Sequence, residues 1–349
     1  MNGKSRRMAL VFTLLSVGVL FVFNAPLVHA ATTHEERTSS FYYHAFGGFT
    51  IDTPNEANNA AGDGVSEAQM YWQPASTSSA LGQTLQSLRM HVVDSYLWDL
   101  LYEYECHRSH IVPHTGPSCA QDYPSMTSQS VLLSLVQSHL QQVAGNTLVN
   151  AYWVLDDWPA WDNGSAKTLL QQIHTLIQQY IPNRPAICGF GAVLGYQHDD
   201  YWNDGVAANF SPQGCDLVGL YIYAASEPTQ VNPPSNAFDW SMSTILPKIF
   251  TSLSQRGWNM SREPMIGIGQ AFGGTHAGTQ NESVTPNPQN MTTQALSFCQ
   301  HGASDVFFYG WDMGTDFSNP QTPMTNSGIK QGVQQGIAAC RSYWSRVTS

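Results

Sequence analysis

Acidic side chains directly follow apolar segments of this sequence, and their spacing suggests a reaction. The segment from Tyr152 to Pro159 reads YWVLDDWP, so an apolar run ends in two adjacent carboxylates, Asp156 and Asp157. Two acidic groups can hydrolyse a glycosidic bond when one stays protonated to donate to the leaving oxygen and the other is ionised. Neighbouring side chains on a strand point to opposite faces, so we expect the second carboxylate to come from another segment.

Several other carboxylates follow apolar segments and are candidates for that partner: Asp52, Asp94, Glu105 and Asp312. We expect Asp157 or Asp156 to be the general acid, with its partner among Asp94, Glu105 and Asp312. The alternative role for the adjacent pair is a helix cap or a loop hydrogen bond. Ser165 already offers a cap closer to the next helical segment, which favours the catalytic role.

Aromatic residues collect at the same positions. Six of the ten tryptophans follow apolar segments: Trp72, Trp98, Trp158, Trp161, Trp202 and Trp311. Aromatic rings cover the apolar face of a sugar while neighbouring polar groups bind its hydroxyls. The expected substrate-binding residues are Trp72, Trp158, Trp202, Trp311, Tyr221, Tyr223 and Gln270. The alternative is that these aromatic residues only fill the core.

Eight short apolar segments are rich in β-branched and aromatic residues, and most are continuous, as in strands buried on both faces. They span 46–51, 68–73, 88–93, 149–155, 185–191, 216–223, 264–270 and 305–311. Helical spacing is present over 79–87, 128–143, 165–180, 241–255, 291–301 and 330–344. The stretch 54–66 is rich in Asn, Gly and Ala, and we expect no regular helix there. Alternating strands and helices predict a single-domain (β/α)8 TIM barrel, with a doubly wound open sheet as the alternative.

The first thirty residues have the three parts of a secretory signal peptide: Lys4, Arg6 and Arg7, an apolar run, and small residues before position 31. We therefore expect a cleaved signal peptide at 1–30, a barrel domain at 31–349 and a secreted protein. The chain has 14 basic and 25 acidic residues. Removing the signal leaves a net charge of roughly −14, which disfavours nucleic acid and anionic membranes as partners. We expect a monomer that binds carbohydrate.

Six cysteines lie after the signal segment, an even number that predicts disulfides in an exported protein. We expect nearest neighbours to pair: Cys106 with Cys119, Cys188 with Cys215, and Cys299 with Cys340. Three histidines lie between the first two cysteines, so metal binding is the alternative there, and we expect no metal. The sequence contains no nucleotide-binding, serine-esterase or zinc-protease motif, and we expect no cofactor.

These strand-end residues resemble those of secreted TIM-barrel glycoside hydrolases. Among them, the chitinase-like families carry acidic residues at strand four, a tyrosine at strand six and a tryptophan at strand eight. That resemblance implies roles for Asp156 or Asp157, for Tyr221 or Tyr223, and for Trp311. The glutamate that ends strand four in those families is replaced by Trp158 or Pro159, and Gln270 stands where the large retaining clan carries its strand-seven nucleophile.

Two functions follow from this pattern. The first is a secreted glycoside hydrolase that cleaves a polysaccharide or oligosaccharide by carboxylate acid/base catalysis. The second is a non-catalytic carbohydrate-binding or cell-surface protein on the same barrel, which would account for the missing glutamates. The sequence leaves open the glycan, the position of cleavage and the stereochemical outcome.

Overall fold

The fold is described from a computed structural model. It describes residues 44–71, 74–109, 126, 128–156, 164–193, 207–223, 241–278, 282–314 and 317–347. The expected signal peptide at 1–30 lies outside these residues. Among the helices of the described part, none combines the length and the apolar character that a membrane span requires.

Eight parallel strands close into a barrel, as predicted. Their bounds are β1 Phe46–Phe49, β2 Glu67–Met70, β3 His91–Asp94, β4 Val149–Leu155, β5 Ala186–Val193, β6 Leu217–Tyr223, β7 Met265–Gln270 and β8 Asp305–Tyr309. Each strand pairs with its sequence neighbours, and β1 pairs with β8 to close the circle. The open-sheet alternative is therefore wrong. A small antiparallel hairpin, Gly274–Thr275 with Glu282–Ser283, follows β7.

Helices lie between the strands. They are α1 Pro54–Gly62, α2 Ala80–Leu88, α3 Tyr96–Ser109, α4 Gln129–Val143, α5 Lys167–Tyr180, α6 Leu246–Gln255, α7 Pro288–Gln300 and α8 Ser327–Val347. A short π-helical turn, Ser241–Ile245, leads into α6. The six stretches with helical spacing all lie on helices, within a few residues of their expected ends.

The expectation of no helix between residues 54 and 66 is wrong, because α1 has a complete capping box. The Thr53 hydroxyl accepts from the Glu56 N–H, and the Glu56 carboxylate accepts from the Thr53 N–H at 2.9 Å. Pro54 occupies the first turn, where its missing N–H costs nothing. These end signals outweigh the low helix propensity of the Asn and Gly residues that follow.

Large aromatic side chains fill the barrel, and glycines make room for them. A Cβ at Gly189 or Gly219 would lie 2.6 Å or 2.5 Å from the Trp153 indole, so the ring of β4 packs against bare backbone on β5 and β6. Phe49 from β1 contacts Trp153 edge-on, with ring centroids 5.4 Å apart. Strands buried on both faces in this way explain the continuous apolar runs of the sequence.

The described residues contain two disulfides. Cys188 of β5 bonds to Cys215, just before β6, and Cys299 of α7 bonds to Cys340 of α8. Both match the nearest-neighbour pairing expected from the sequence. The third expected pair, Cys106 with Cys119, lies outside the residues whose side chains the structure describes.

Candidate active site

The carboxyl ends of the eight strands meet at one end of the barrel, where TIM-barrel enzymes place their active sites. Aromatic rings from separate strands converge there. Phe49 at the end of β1 lies 5.7 Å from Tyr221 of β6 and 5.0 Å from Tyr309 of β8, measured between ring centroids. Tyr223 of β6 lies 5.4 Å from Tyr309. Side chains from three strands can meet only inside the barrel, so these rings define its mouth.

Asp156 directly follows β4 and lies at this mouth with 7% of its surface exposed. Its Oδ2 accepts a hydrogen bond of 3.1 Å from the Tyr71 hydroxyl, which comes from the end of β2. The Tyr71 hydroxyl is also 3.5 Å from the hydroxyl of Tyr309. Side chains from the ends of β2, β4 and β8 therefore form one polar cluster, and aromatic rings surround it.

The Tyr71 hydroxyl remains protonated in this position. Burial raises its pKa well above the usual value of a phenol, and the charge of Asp156 raises it further. A protonated phenol next to a carboxylate is a hydrogen-bond donor. The carboxylate of Asp156 is thus held by a neutral donor.

The two predicted tyrosines of β6 belong to this mouth. Tyr221 is fully buried, and its ring centroid is 5.9 Å from that of Trp153, deeper in the barrel. Tyr223 lies nearer the opening and packs edge-on against Phe272, which follows β7, at 5.2 Å. The structure thus brings Tyr221, Tyr223 and Asp156 into one region.

Asp94 lies at the end of β3 but faces away from the mouth. Its Oδ2 is 2.6 Å from Nε2 of His139 on α4, and its Oδ1 accepts from the Tyr96 N–H at 2.9 Å. Helix α4 lies outside the barrel, so this carboxylate connects a strand to a helix.

Glu105 is buried on α3, a helix that the spacing of apolar residues does not predict. The helix begins two residues after β3 ends, and Glu105 lies about 14 Å along its axis from Tyr96 at 1.5 Å per residue. The Glu105 carboxylate, which was expected close to the end of β3, therefore lies well along α3 from that strand end.

Asp312 is exposed in the loop after β8. Its backbone N–H donates to the Thr50 hydroxyl at 2.9 Å, and its Oδ1 accepts from the Gly314 N–H at 2.9 Å. Asp52 lies beside it in the loop after β1. Loss of hydration raises the pKa of Asp52 to about 6, and the charges of Glu56 and Asp312 act in the same direction. The two aspartates form an acidic rim next to β1 and β8.

Gln270, at the end of β7, is held by backbone. Its side-chain amide donates to the carbonyls of Phe272 and Val284 at 2.9 and 3.0 Å. The side chain thus fixes the loop after β7 to the segment that follows the hairpin.

Trp311 is fully buried. A Cβ added to Gly48 of β1 would lie 2.8 Å from the Trp311 ring. Gly48 is in register with Phe308 of β8, and the Phe308 ring faces α8. The indole therefore lies on the helix-facing side of β1 and offers no exposed face to a sugar.

Four of the predicted site residues lie outside the described residues: Trp72, Asp157, Trp158 and Trp202. Most of the segment with three histidines, 107–114, does as well. Within the described part, no group of three or more His, Cys, Asp or Glu side chains is arranged to bind a metal ion.

Sequence reasoning missed Tyr71, Tyr309 and Phe49, which complete the mouth. Each lies at or just past the end of a predicted strand, so position alone would have included them. The prediction favours carboxylates and tryptophans at the other strand ends, because these residue types are the stronger signal of sugar chemistry. Counting the alternate, inward positions of each strand would have found all three.

The comparisons with known proteins support the fold. No protein-family model matches the sequence, and no curated protein is similar to it. A β-galactosidase from the psychrophilic Marinomonas ef1 superposes with a TM-score of 0.55 over 87% of this chain, at 7% identity. A polyextremophilic β-galactosidase from the Antarctic haloarchaeon Halorubrum lacusprofundi superposes with a TM-score of 0.56 over 86% of this chain, at 9% identity.

The chain spans only 60% and 58% of these two enzymes. At such low identity the similarity concerns the fold and not the reaction. The chain has the TIM-barrel fold of these structures.

Proposed function

We propose that this protein is a secreted glycoside hydrolase that acts on a neutral or amino-sugar polysaccharide or oligosaccharide. The observation that carries the proposal is Asp156, a nearly buried carboxylate at the end of β4 that accepts from Tyr71 within a ring of aromatic side chains. Glycoside hydrolysis uses such a carboxylate with a second acidic group. Two β-galactosidases that share this fold support the proposal.

The second acidic group is sought among the remaining candidates. Asp94 contacts His139 of α4 outside the barrel, so it is a weaker candidate for the second acidic group. Asp52 and Asp312 lie on the rim, and an Asp52 with a pKa of about 6 keeps a proton further toward neutral pH than an ordinary aspartate. Asp157 stays a candidate on its sequence position alone.

The substrate class follows from charge and ring chemistry. A mature chain with a net charge of roughly −14 repels polyanions, so uronic-acid polymers are disfavoured. Aromatic side chains and tyrosine hydroxyls suit a sugar that is neutral or carries an amino group.

The test is release of reducing ends by the purified chain 31–349 from neutral, amino-sugar and uronic-acid polysaccharides. We expect turnover on one of the first two classes and its loss in Asp156→Asn, with substrate binding retained. Asp63→Asn is the matched control. Asp63 lies at the opposite end of the barrel, where it pairs with Lys330, so its variant is expected to keep activity.

A non-catalytic carbohydrate-binding protein is the second candidate, and Gln270 favours it. This residue stands at the strand-seven position of the retaining nucleophile, and its amide is used to hold backbone. Binding of a glycan without turnover by the wild-type chain would support this candidate and exclude the hydrolase.

A further inference from the structure

Three hydroxyl and carboxylate groups form a chain across the barrel mouth. The Tyr71 hydroxyl, at the end of β2, is 3.1 Å from Oδ2 of Asp156 and 3.5 Å from the hydroxyl of Tyr309. A phenol carries one hydrogen and can donate it once. The hydrogen of Tyr71 goes to the shorter contact with the charged acceptor, and the 3.5 Å contact with Tyr309 is the weaker alternative for the same hydrogen. Tyr71 therefore donates to Asp156.

The surroundings keep Tyr71 in its donor state. Three titratable groups on three other strands face its hydroxyl, namely Asp156 after β4, Tyr223 on β6 and Tyr309 on β8, and all of them oppose loss of its proton. The Tyr71 ring also packs beside Phe49, with centroids 6.3 Å apart. The packing thus holds the Tyr71 ring in place, and the neighbouring groups keep its hydroxyl protonated.

A hydrogen bond donated to a carboxylate stabilises its ionised form. A general acid, in contrast, must keep its proton until the leaving oxygen takes it. These requirements conflict if Asp156 is the acid, and they agree if Asp156 is the group that must be charged.

We propose that Tyr71 is a positioning residue that holds Asp156 ionised, so that Asp156 is the nucleophile or base and another carboxylate is the general acid. This assignment rests on the proposed function and reverses the acid role expected from sequence. In the reaction, Asp156 either bonds to the anomeric carbon as the glycosidic C–O bond breaks, and water later displaces it, or it takes a proton from the water that attacks this carbon as that bond breaks. The leaving oxygen receives its proton from the second carboxylate.

The decisive measurement is the titration of Asp156 itself, because it does not depend on turnover. Protein labelled with ¹³C at aspartate is titrated by NMR, and the Asp156 carboxyl signal is assigned by its absence in Asp156→Asn. In Tyr71→Phe we expect the midpoint to rise by about one pH unit, the size expected when a charge-assisted hydrogen bond is lost. Tyr309→Phe removes only the weaker acceptor of the Tyr71 hydrogen, so it should not raise the midpoint.

Tyr180→Phe is the matched control, since Tyr180 ends α5 away from the mouth and its variant also loses one phenol oxygen. It should leave the Asp156 midpoint unchanged. An unchanged midpoint in Tyr71→Phe, with or without a lower melting temperature, overturns the proposal because a purely structural tyrosine would behave that way.

Kinetics separates this proposal from the function on which it rests. If the wild-type chain turns over a glycan, the acidic limb of the pH profile of kcat/KM should shift to higher pH in Tyr71→Phe, as the NMR midpoint does. An acidic limb at the same pH in both proteins contradicts the assignment. If the wild-type chain hydrolyses nothing, the hydrolase is excluded. The NMR shift then still decides whether Tyr71 holds Asp156 ionised.

Discussion

Asp305 should make the stability of this protein fall as pH rises, and Asp305→Asn should remove that dependence. The side chain is fully buried at the start of β8, at the end of the barrel opposite the mouth. Burial raises its pKa to about 8, and the nearby charge of Glu67 adds to the effect, whereas hydrogen bonds from Ser304 and Ala45 lower it.

Two hydrogen bonds are donated to the Asp305 carboxyl, and the effect of burial on its pKa outweighs theirs. Oδ1 accepts from the Ala45 N–H at 2.7 Å, and Oδ2 lies 2.6 Å from the Ser304 hydroxyl. That hydroxyl is also 3.0 Å from the Met265 carbonyl, which can only accept. The one hydrogen of this hydroxyl is thus shared between Asp305 and Met265. The asparagine side chain of Asp305→Asn can reproduce both contacts, with its oxygen toward Ala45 and its NH₂ toward Ser304.

The magnitude follows from linkage. An ordinary aspartate titrates near 3.8, so between about pH 4 and pH 8 the native state holds a proton that the unfolded state has released. The folded pKa is raised, so the free energy of unfolding falls with rising pH in this window, by about 1.4 kcal/mol per unit. The stability of Asp305→Asn relative to the wild type should therefore rise by roughly 2 to 3 kcal/mol from pH 5 to pH 7.

Urea unfolding of both proteins at pH 5, 6 and 7, with disulfides intact, gives this difference directly. Val347→Ala is the control, because Val347 is exposed and its replacement changes no titratable group. Its curve should run parallel to that of the wild type. Parallel curves for Asp305→Asn as well would refute the reasoning, since they would mean that Asp305 titrates alike in both states.

Three further predictions concern single contacts. Gln270→Glu should lower the free energy of unfolding by about 1 to 3 kcal/mol, because a carboxylate would face two backbone carbonyls, and equal stability in urea would contradict the contacts described. Thr53→Ala should cost about 1 kcal/mol by removing the cap of α1, with Thr53→Ser restoring it. The double variant Cys299→Ser and Cys340→Ser should lose about 2 to 4 kcal/mol, and a melting temperature equal to that of the wild type without reductant would show that this link adds nothing.

Much of the fold could be predicted because barrel strands are buried on both faces. The expected strand at 149–155 has the observed bounds, since its seven residues are apolar or inward-facing throughout. The strand expected at 46–51 ends earlier, at Phe49, because Thr50 takes a left-handed backbone with φ of 61°. Periodicity also missed α3, whose aromatic and acidic residues have no single apolar face.

The sequence predicts which residues lie at the strand ends, but it does not predict whether their side chains point to the barrel mouth or to the helices. A residue just past a strand can face the barrel mouth, as Asp156 does, or the surrounding helices, as Asp94 and Trp311 do. The sequence contains no local signal for that choice, because it depends on partners such as His139 that lie far along the chain. Strand position places Tyr71 at the mouth, and its contact with Asp156 shows which polar group it serves.

The pairing of β1 with β8 also determines when this protein can finish folding. Ala45 and Asp305 form a hydrogen bond across 260 residues, so the circle of strands cannot close until β8 has been synthesised. Until then β1 and the last strand made present open edges, which can pair with other chains. A chain that stops before Asp305 would keep those edges permanently, and we expect it to aggregate rather than to persist as a smaller barrel.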